Sequence, residues 1–414
     1  MPATAQTYTG QTAPFAGSSS SSPGTDRQTE IALNYTQPIS EDIQLEMGAK
    51  TVLQNINSSA LVNVLRTDSN EYVTDPAQSY QMQYRMNIYA GYFSASFPLF
   101  HFFNVKAGAR YEYTQVNIDY PGTEIPSYGL VVPSLVFAHK LPGSQTFKIA
   151  YSRRIERAEY DELNPFVNRS DPYNLTTGNP LLKPEIGDNL ELGYSKTFEK
   201  GGSLNVSLIE RINSQDHKRF VVFYPTYQIS DSVLRNVSVQ SVQNTGTEYN
   251  SGINVSGSLP VKNKLSLRGN AMLFHRYLVT NTSIGNTDIG FRFRLNMTAT
   301  YKVTPTTIAE VFGNYNSPTQ NIQGKSPQWF AYTFALRKQF WDKKASLGLT
   351  ATNPFNKYID QVTTISTDGY SSYVVRQVPA QSFGISFTWN FGRLEFKNDR
   401  EEENNYLNNP PAGN

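Results

Sequence analysis

Residues able to do chemistry in this chain gather in two long segments. Residues 157–185 carry Tyr160, Phe166, Arg169 and Tyr173, and residues 214–240 carry His217, Arg219, Tyr224 and Tyr227. Aromatic faces and guanidinium forks together can hold a sugar, a peptide or a siderophore-like chelate. Ordinary loop packing is the simpler reading of the same side chains. The other chemistries find no pattern. His101, His139, His217 and His275 are scattered, without HExxH or similar spacing, so neither a metal nor a cofactor is expected. Cys is absent, which removes disulfides and thiolate ligands. Asp161-Glu162 and Glu401 to Glu403 read as solvated charges, and no GxSxG, Walker A or GxGxxG sequence occurs, so an enzyme is not expected.

The elements that must position these segments are strands. From Ile289 to Tyr301 the odd positions read Ile289, Phe291, Phe293, Leu295, Met297, Ala299 and Tyr301, against Gly290, Arg292, Arg294, Asn296, Thr298 and Thr300. A strand sends successive side chains to opposite faces, so one face is apolar and the other polar. The same alternation marks about fifteen segments, as expected of an antiparallel barrel with lipid outside and water inside. Hydropathy alone would place the chain in water, since its mean is −0.46 with 38% hydrophobic residues. A lipid-facing strand needs only alternate apolar residues, however, and 13% aromatics suit two interfacial girdles. A net charge of +2 gives no sign of a nucleic-acid partner. The alternation also nominates lumen-facing charges: Arg85, Lys106, Arg110, Glu112, Glu191, Arg211, Arg268, Arg292 and Arg294. A structural or plug-contacting network is the plainer role for them, and substrate contact the sharper one.

Connections alternate between short and long. Short ones lie near Gln37 to Asp42, Phe97 to His101, His139 to Ser144, Glu199 to Gly202, Pro260 to Asn263, Thr304 to Thr306 and Trp341 to Lys344. Long ones lie near 56–82, 118–127, 157–185, 214–240, 278–287, 317–326 and 357–372. Short turns of such barrels face the periplasm and long loops the exterior. The first strand and the last then both descend, whereas single-chain bacterial barrels have even strand numbers. No basic start and no apolar core follow Met1. The expectation is a C-terminal barrel portion over 26–393, behind an N-terminal loop or arm at 1–25 and before a polar tail at 394–414.

Two stretches carry a family resemblance. One runs Tyr151-Ser152-Arg153-Arg154-Ile155, then Leu163-Asn164-Pro165-Phe166, then Gly178-Asn179-Pro180-Leu181-Leu182-Lys183-Pro184-Glu185. The other is Asn353-Pro354-Phe355-Asn356, with Asn390-Phe391-Gly392 at the close of the last strand. Over about residues 26–393 the chain resembles the TonB-dependent-receptor-like outer-membrane β-barrel proteins of Bacteroidetes-type bacteria. That resemblance implies an all-β, roughly 22-stranded barrel with a plug, of which about fifteen strands would be present and the plug absent. It further implies a bacterial outer-membrane location, lipid contact, a TonB system and plug domain in the full-length form, and a surface lipoprotein as a further partner. The implied function is uptake of a scarce, bulky nutrient of the siderophore, glycan or peptide class. The alternative is a plugless structural or surface-binding barrel without active transport. Within the block, Pro180 and Pro184 favour a loop ending at a strand start. Gly178 is expected to supply a positive φ at a turn. Glu185 and Glu191 are expected to meet Arg153, Arg154 or Arg157 across neighbouring strands.

Overall fold

The computed structural model describes residues 17–66, 69–100, 102–171, 173–229, 232–280 and 287–391. His101, Gly392, residues 1–16 of the expected arm, most of the 278–287 connection and the 394–414 tail lie outside the described residues. Among the described residues the fold is all-β apart from one helical turn. It opens with β1 (Ser18–Ser21), β2 (Gly24–Pro38), β3 (Gln44–Leu65), β4 (Tyr72–Thr74), β5 (Tyr80–Leu99), β6 (Phe103–Ile118), β7 (Tyr128–Leu141) and β8 (Gln145–Glu156). The turn α1 (Tyr160–Leu163) precedes β9 (Asn174–Thr176), β10 (Glu185–Thr197), β11 (Ser203–Ser214), β12 (His217–Ile229) and β13 (Ser232–Asn244). Then come β14 (Gly246–Val261), β15 (Leu265–Thr280), β16 (Thr287–Thr304), β17 (Thr307–Asn316), β18 (Thr319–Asn321) and β19 (Gly324–Ser326). The last are β20 (Trp329–Phe340), β21 (Ala345–Thr352), β22 (Tyr358–Thr367), β23 (Tyr370–Pro379) and β24 (Ser382–Trp389).

One antiparallel sheet of 17 strands contains the wall. Among the described residues β1 and β4 pair only with the outer end of β3, which leaves fifteen wall strands. Their spatial order is β2-β3-β5-β6-β7-β8-β10-β11-β14-β15-β16-β17-β20-β21-β24. Register keeps the apolar face continuous from strand to strand. Leu33 faces Ala49, Gly91, Tyr111 and Val131 in one row, and Tyr35 faces Met47, Phe93, Ala109 and Pro133 in the next. A slip of one residue would reverse both rows, so burial in lipid specifies this register. At the short-turn end aromatic rings meet: Phe102 stacks on His139 at 3.6 Å, and Trp389 lies 6.4 Å from Trp341 and 5.9 Å from Phe391. Such rings suit a membrane interface.

The two ends of the wall differ from its middle. β2 pairs only with β3 and β24 only with β21 among the described residues, so each leaves one row of backbone groups without a ladder partner. Fourteen antiparallel steps separate β2 from β24, so the two run in the same direction. Antiparallel closure therefore takes an odd number of further strands between them, and an uncovered edge in hydrocarbon would leave polar groups unsatisfied.

Packed cores sit at the outer mouth. Met82, Tyr84, Ile118, Leu163, Leu182 and Val242 bury one another beneath α1, and Leu175, Val237 and Val239 form a second cluster. Several expected loops are themselves paired. β3 runs on to Leu65 inside the 56–82 segment, β12 and β13 make a hairpin over 217–244, and β22 and β23 make another over 358–379. Ser18–Ser21 of the expected arm also pairs, with Leu61–Val64. Backbone that leaves the wall must still satisfy its donors and acceptors, and pairing does so.

Candidate functional site

The 157–185 segment folds inward over the mouth, and the family block clasps it there. Leu163 and Leu182 plug into the apolar cluster formed by Met82, Tyr84 and Ile118. Asn179 donates from Nδ2 to the Val242 carbonyl at 3.0 Å, and its Oδ1 accepts the Leu181 amide at 3.0 Å. The Lys183 amide donates to Asn244 Oδ1 at 2.9 Å, while Asn244 Nδ2 donates to the Lys183 carbonyl at 2.9 Å. Thus the block joins α1 to the stem of the β12–β13 hairpin. Pro184 ends the loop and β10 starts at Glu185, as proline at that place requires. Gly178 is needed for a reason other than the expected one. Its φ is not among the positive values; a Cβ there would lie 2.5 Å from the Glu162 carbonyl oxygen and 2.6 Å from that of Asn164. Asn164 closes a turn by accepting the Phe166 amide at 3.0 Å, and Pro165 accepts the Thr177 hydroxyl. In the second NPF stretch, buried Asn353 ties β20 to β21 through the Tyr332 amide at 2.9 Å.

A cleft of about 460 Å³ opens between this clasp, β1 and the outer ends of β3 and β5. Of the sequence-nominated residues it gathers Asn164, Phe166, Arg169, Gly178 and Arg219. Phe166 stands 4.3 Å from Tyr80 ring to ring, and Arg169 donates to the Ala77 carbonyl at 2.6 Å. The Arg169 Nε is buried without a hydrogen-bond partner among the described residues. Arg219 lies 3.9 Å from Asp161. Gln78, Asn168, Thr176 and Gln240 also line the cleft and carry no sequence signal, since only the folding of β1 and α1 together brings them there. The remaining nominated residues lie elsewhere. Tyr160 sits edge-on to Tyr84 at 5.6 Å, and burial pushes its hydroxyl up to about 12. Tyr224 and Tyr227 pack on each other at 5.0 Å beside Leu175. Tyr173 contributes its carbonyl to the Ser238 amide at 2.8 Å. His217 is half-buried and bonds the Lys183 carbonyl at 2.7 Å, with Glu162 and Glu185 beside its Nδ1.

Next to His217 lies a buried charge cluster that sequence reading did not find. Lys218 Nζ sits 2.5 Å from Asp216 and 2.8 Å from Glu248, and Arg276 grips Glu248 with two bonds of 2.9 and 3.0 Å. Burial pushes the Asp216 carboxyl up to about 7, helped by Glu248 and opposed by Lys218. Lys218 resists its own burial because both carboxylates hold its charge, which raises its pKa. Arg276 shares the inward parity of Arg268, and that is the signal by which it could have been found.

Lumen charges divide into paired and unpaired. Lys106 meets Glu46 at 2.9 Å, Arg110 meets Glu112 at 2.5 Å, and Arg157 also binds Glu112. Glu191 is held by Lys148 at 3.0 Å and by the Ser207 hydroxyl, and Glu185 by the His217 amide. Neither glutamate meets Arg153, Arg154 or Arg157, contrary to expectation. The inward face of β8 carries Lys148 opposite Gly193, which brings Lys148 diagonally onto Glu191. Arg153 instead bonds Asp188 at 2.9 and 3.0 Å. Arg85 does not face the lumen: it shares the face of Tyr89 and Phe93, because Tyr84 and Met82 take the inward side beneath the roof. Arg211, Arg268, Arg292 and Arg294 do share the inward face.

A wall with an apolar outer face, a charged lumen, short turns at one end and built loops at the other defines an outer-membrane β-barrel. The family model described as the outer membrane protein beta-barrel family matches residues 3–389, and the chain belongs to that family. No curated protein matches in sequence. Among solved structures, the copper transporter OprC shares 14% identity at a TM-score of 0.61, over 89% of this chain and 57% of that one. The siderophore receptor PiuA of Acinetobacter baumannii shares 12% identity at 0.60, over 89% of this chain and 56% of that one. The ferric enterobactin receptor PfeA of Pseudomonas aeruginosa, as its Q482A mutant, gives 14%, 0.51, 89% and 71%. These likenesses carry the fold. The chain spans little more than half the length of OprC and PiuA.

Proposed function

We propose that the chain supplies the wall and outer loops of an uptake receptor for a scarce, bulky nutrient. In the full-length form a plug gates the lumen, and energy arrives from the inner membrane through TonB. The observation that carries this reading is the mouth: inward-folded loops enclose a cleft of about 460 Å³ above a charged lumen, within the usual ~300–1,000 Å³ of ligand sites. Phe166, Arg169 and Arg219 are the first ligand contacts of this reading. Membership of an outer-membrane barrel family and the fold shared with a copper transporter and two siderophore receptors support it. The test is nutrient accumulation by cells with the gene deleted, restored, or restored as Phe166→Ala with Arg219→Ala, with and without a proton-motive-force uncoupler. Loss in the deletion, a deficit in the double variant and loss on uncoupling are expected. Accumulation indifferent to the gene and to uncoupling would sink the proposal.

A second reading, a surface-binding barrel without transport, draws on the β22–β23 hairpin. Tyr373, Val374 and Val375 stand exposed there on the outer side, where a surface lipoprotein would bind.

A further inference from the structure

We infer that the lumen wall from β8 to β16 holds an anion-binding site built by Arg154, Arg211, Arg292 and Arg294, suited to a small molecule bearing several carboxylate or phosphate groups. For its use the inference rests on the uptake reading, but for its existence it rests on the wall alone. All four side chains share the inward face. Arg211 stands opposite Asn189 on β10 and Asn250 on β14; Asn250 in turn faces Arg276 on β15. Arg292 stands opposite Phe274, and Arg294 opposite Met272. The Arg211 guanidinium lies 5.5 Å above the buried Phe274 ring, so an apolar floor separates Arg211 from Arg292.

These cations repel one another. Arg211 lies within electrostatic reach of Arg154 and Arg294, and Arg292 within reach of Arg294, Arg276 and Arg211. Among the described residues, the carboxylates within electrostatic reach of Arg211 and Arg292 are already held. Glu191 is bound by Lys148 and Ser207, and Glu248 by Arg276 and Lys218. None of the four arginines has an acidic partner within 4 Å among the described residues. Arg294 has only the Asn316 amide oxygen, at 2.9 Å. Unneutralised guanidiniums on a concave, partly apolar wall raise the local concentration of anions. Their planar forks match carboxylate and phosphate oxygens two at a time. From β11 to β16 is three strand spacings, roughly 14 Å of wall, so separate anionic groups on one ligand can reach separate arginines.

The test is calorimetric binding of tripolyphosphate, and separately of citrate, to the protein extracted intact from outer membranes in mild detergent. Arg211→Gln with Arg292→Gln and Arg294→Gln should weaken binding at least about tenfold, the loss expected from one or two charge-assisted bonds. Replacing the same three by Lys should restore part of it, since charge returns without the fork. Arg268→Gln, on the same face but outside the cluster, should leave binding within about twofold. Equal binding by wild type and triple variant would overturn the inference, as would an equal loss in Arg268→Gln. An acidic peptide that binds where tripolyphosphate and citrate do not would assign the arc to a protein segment and overturn it too. If the triple variant loses its heat-shifted gel band, Arg292→Gln alone replaces it, with a loss of about threefold expected and no loss fatal. Binding without uncoupler-sensitive uptake would keep the arc and remove the uptake reading; uptake without binding would do the reverse.

Discussion

The first half of the wall and the second treat charge in opposite ways. From β3 to β7, and in Arg157 just beyond β8, lumen cations hold carboxylates. Lys106 has Glu46, Arg110 and Arg157 share Glu112, and the apolar cluster of Met82, Tyr84, Leu163 and Leu182 covers the mouth above. From β11 to β16 the cations Arg211, Arg292 and Arg294 face the lumen with no acid in ion-pair contact among the described residues. Arginines matched by carboxylates and covered by loops hold a shape. Arginines left unmatched at an exposed surface add nothing to folding and can act on a solute. The sharpest way to break this contrast is to remove the acid of the paired half. Glu112→Gln strands Arg157, whose side chain is only 17% exposed, beside a neutral amide. Breaking a buried pair on one side costs about 3–5 kcal/mol. The temperature at which the unboiled gel band disappears should drop clearly, and an unchanged temperature would show the paired half to be no scaffold.

Gly178→Ala attacks the cover over that half. The new methyl would meet two backbone carbonyls, which cannot swing aside as a side chain can, so about 1–3 kcal/mol should be lost. The loss should be local: faster amide hydrogen exchange in 157–185 and 239–244, with the wall unchanged. Uniform acceleration along the wall would mean that the block shapes the barrel rather than its cover.

At the boundary between the halves, Asp216 makes the contrast depend on pH. Its carboxyl titrates near 7 in the fold against 3.8 for the ordinary group, so between these values the folded cluster binds the extra proton. Stability from that proton is complete below about 4 and lost as pH rises through about 7. Hydrogen exchange at 215–219 should therefore quicken between pH 5 and 8 beyond the intrinsic chemical rate. Asp216→Asn should flatten that rise, and an identical rise in the variant would remove Asp216 as its source.

Much of the wall was legible, because lipid outside and water inside leave a period of two in every strand. Turn positions, the strand count and the inward face of Arg292 follow from that period alone. Arg85 shows its limit. Beneath the roof the inner face is apolar too, so the rule that polar means lumen inverts, and Tyr84 and Met86 point inward where Arg85 was expected. The β12–β13 hairpin was hidden for a related reason: Val221-Val222-Phe223-Tyr224 is an unbroken apolar run and shows no alternation. Partners across strands were the least legible. Glu191 meets Lys148, and none of Arg153, Arg154 or Arg157, through a diagonal offset that the register of β8 on β10 creates. The cleft needed β1, which composition alone reads as a flexible serine run.

The smallest effect carries the most weight for the unpaired half. Arg292→Gln removes a charge with no ion-pair partner among the described residues, from a side chain open to the lumen. A surface substitution of this kind changes stability by no more than about 0.5 kcal/mol. Here its sign is itself informative. Relief of repulsion from Arg294, Arg276 and Arg211 should make the variant no less stable than wild type in low salt, and the difference should vanish as salt screens the cluster. A loss comparable with that of Glu112→Gln would mean that Arg292 holds the wall together, and the two halves would then be built alike.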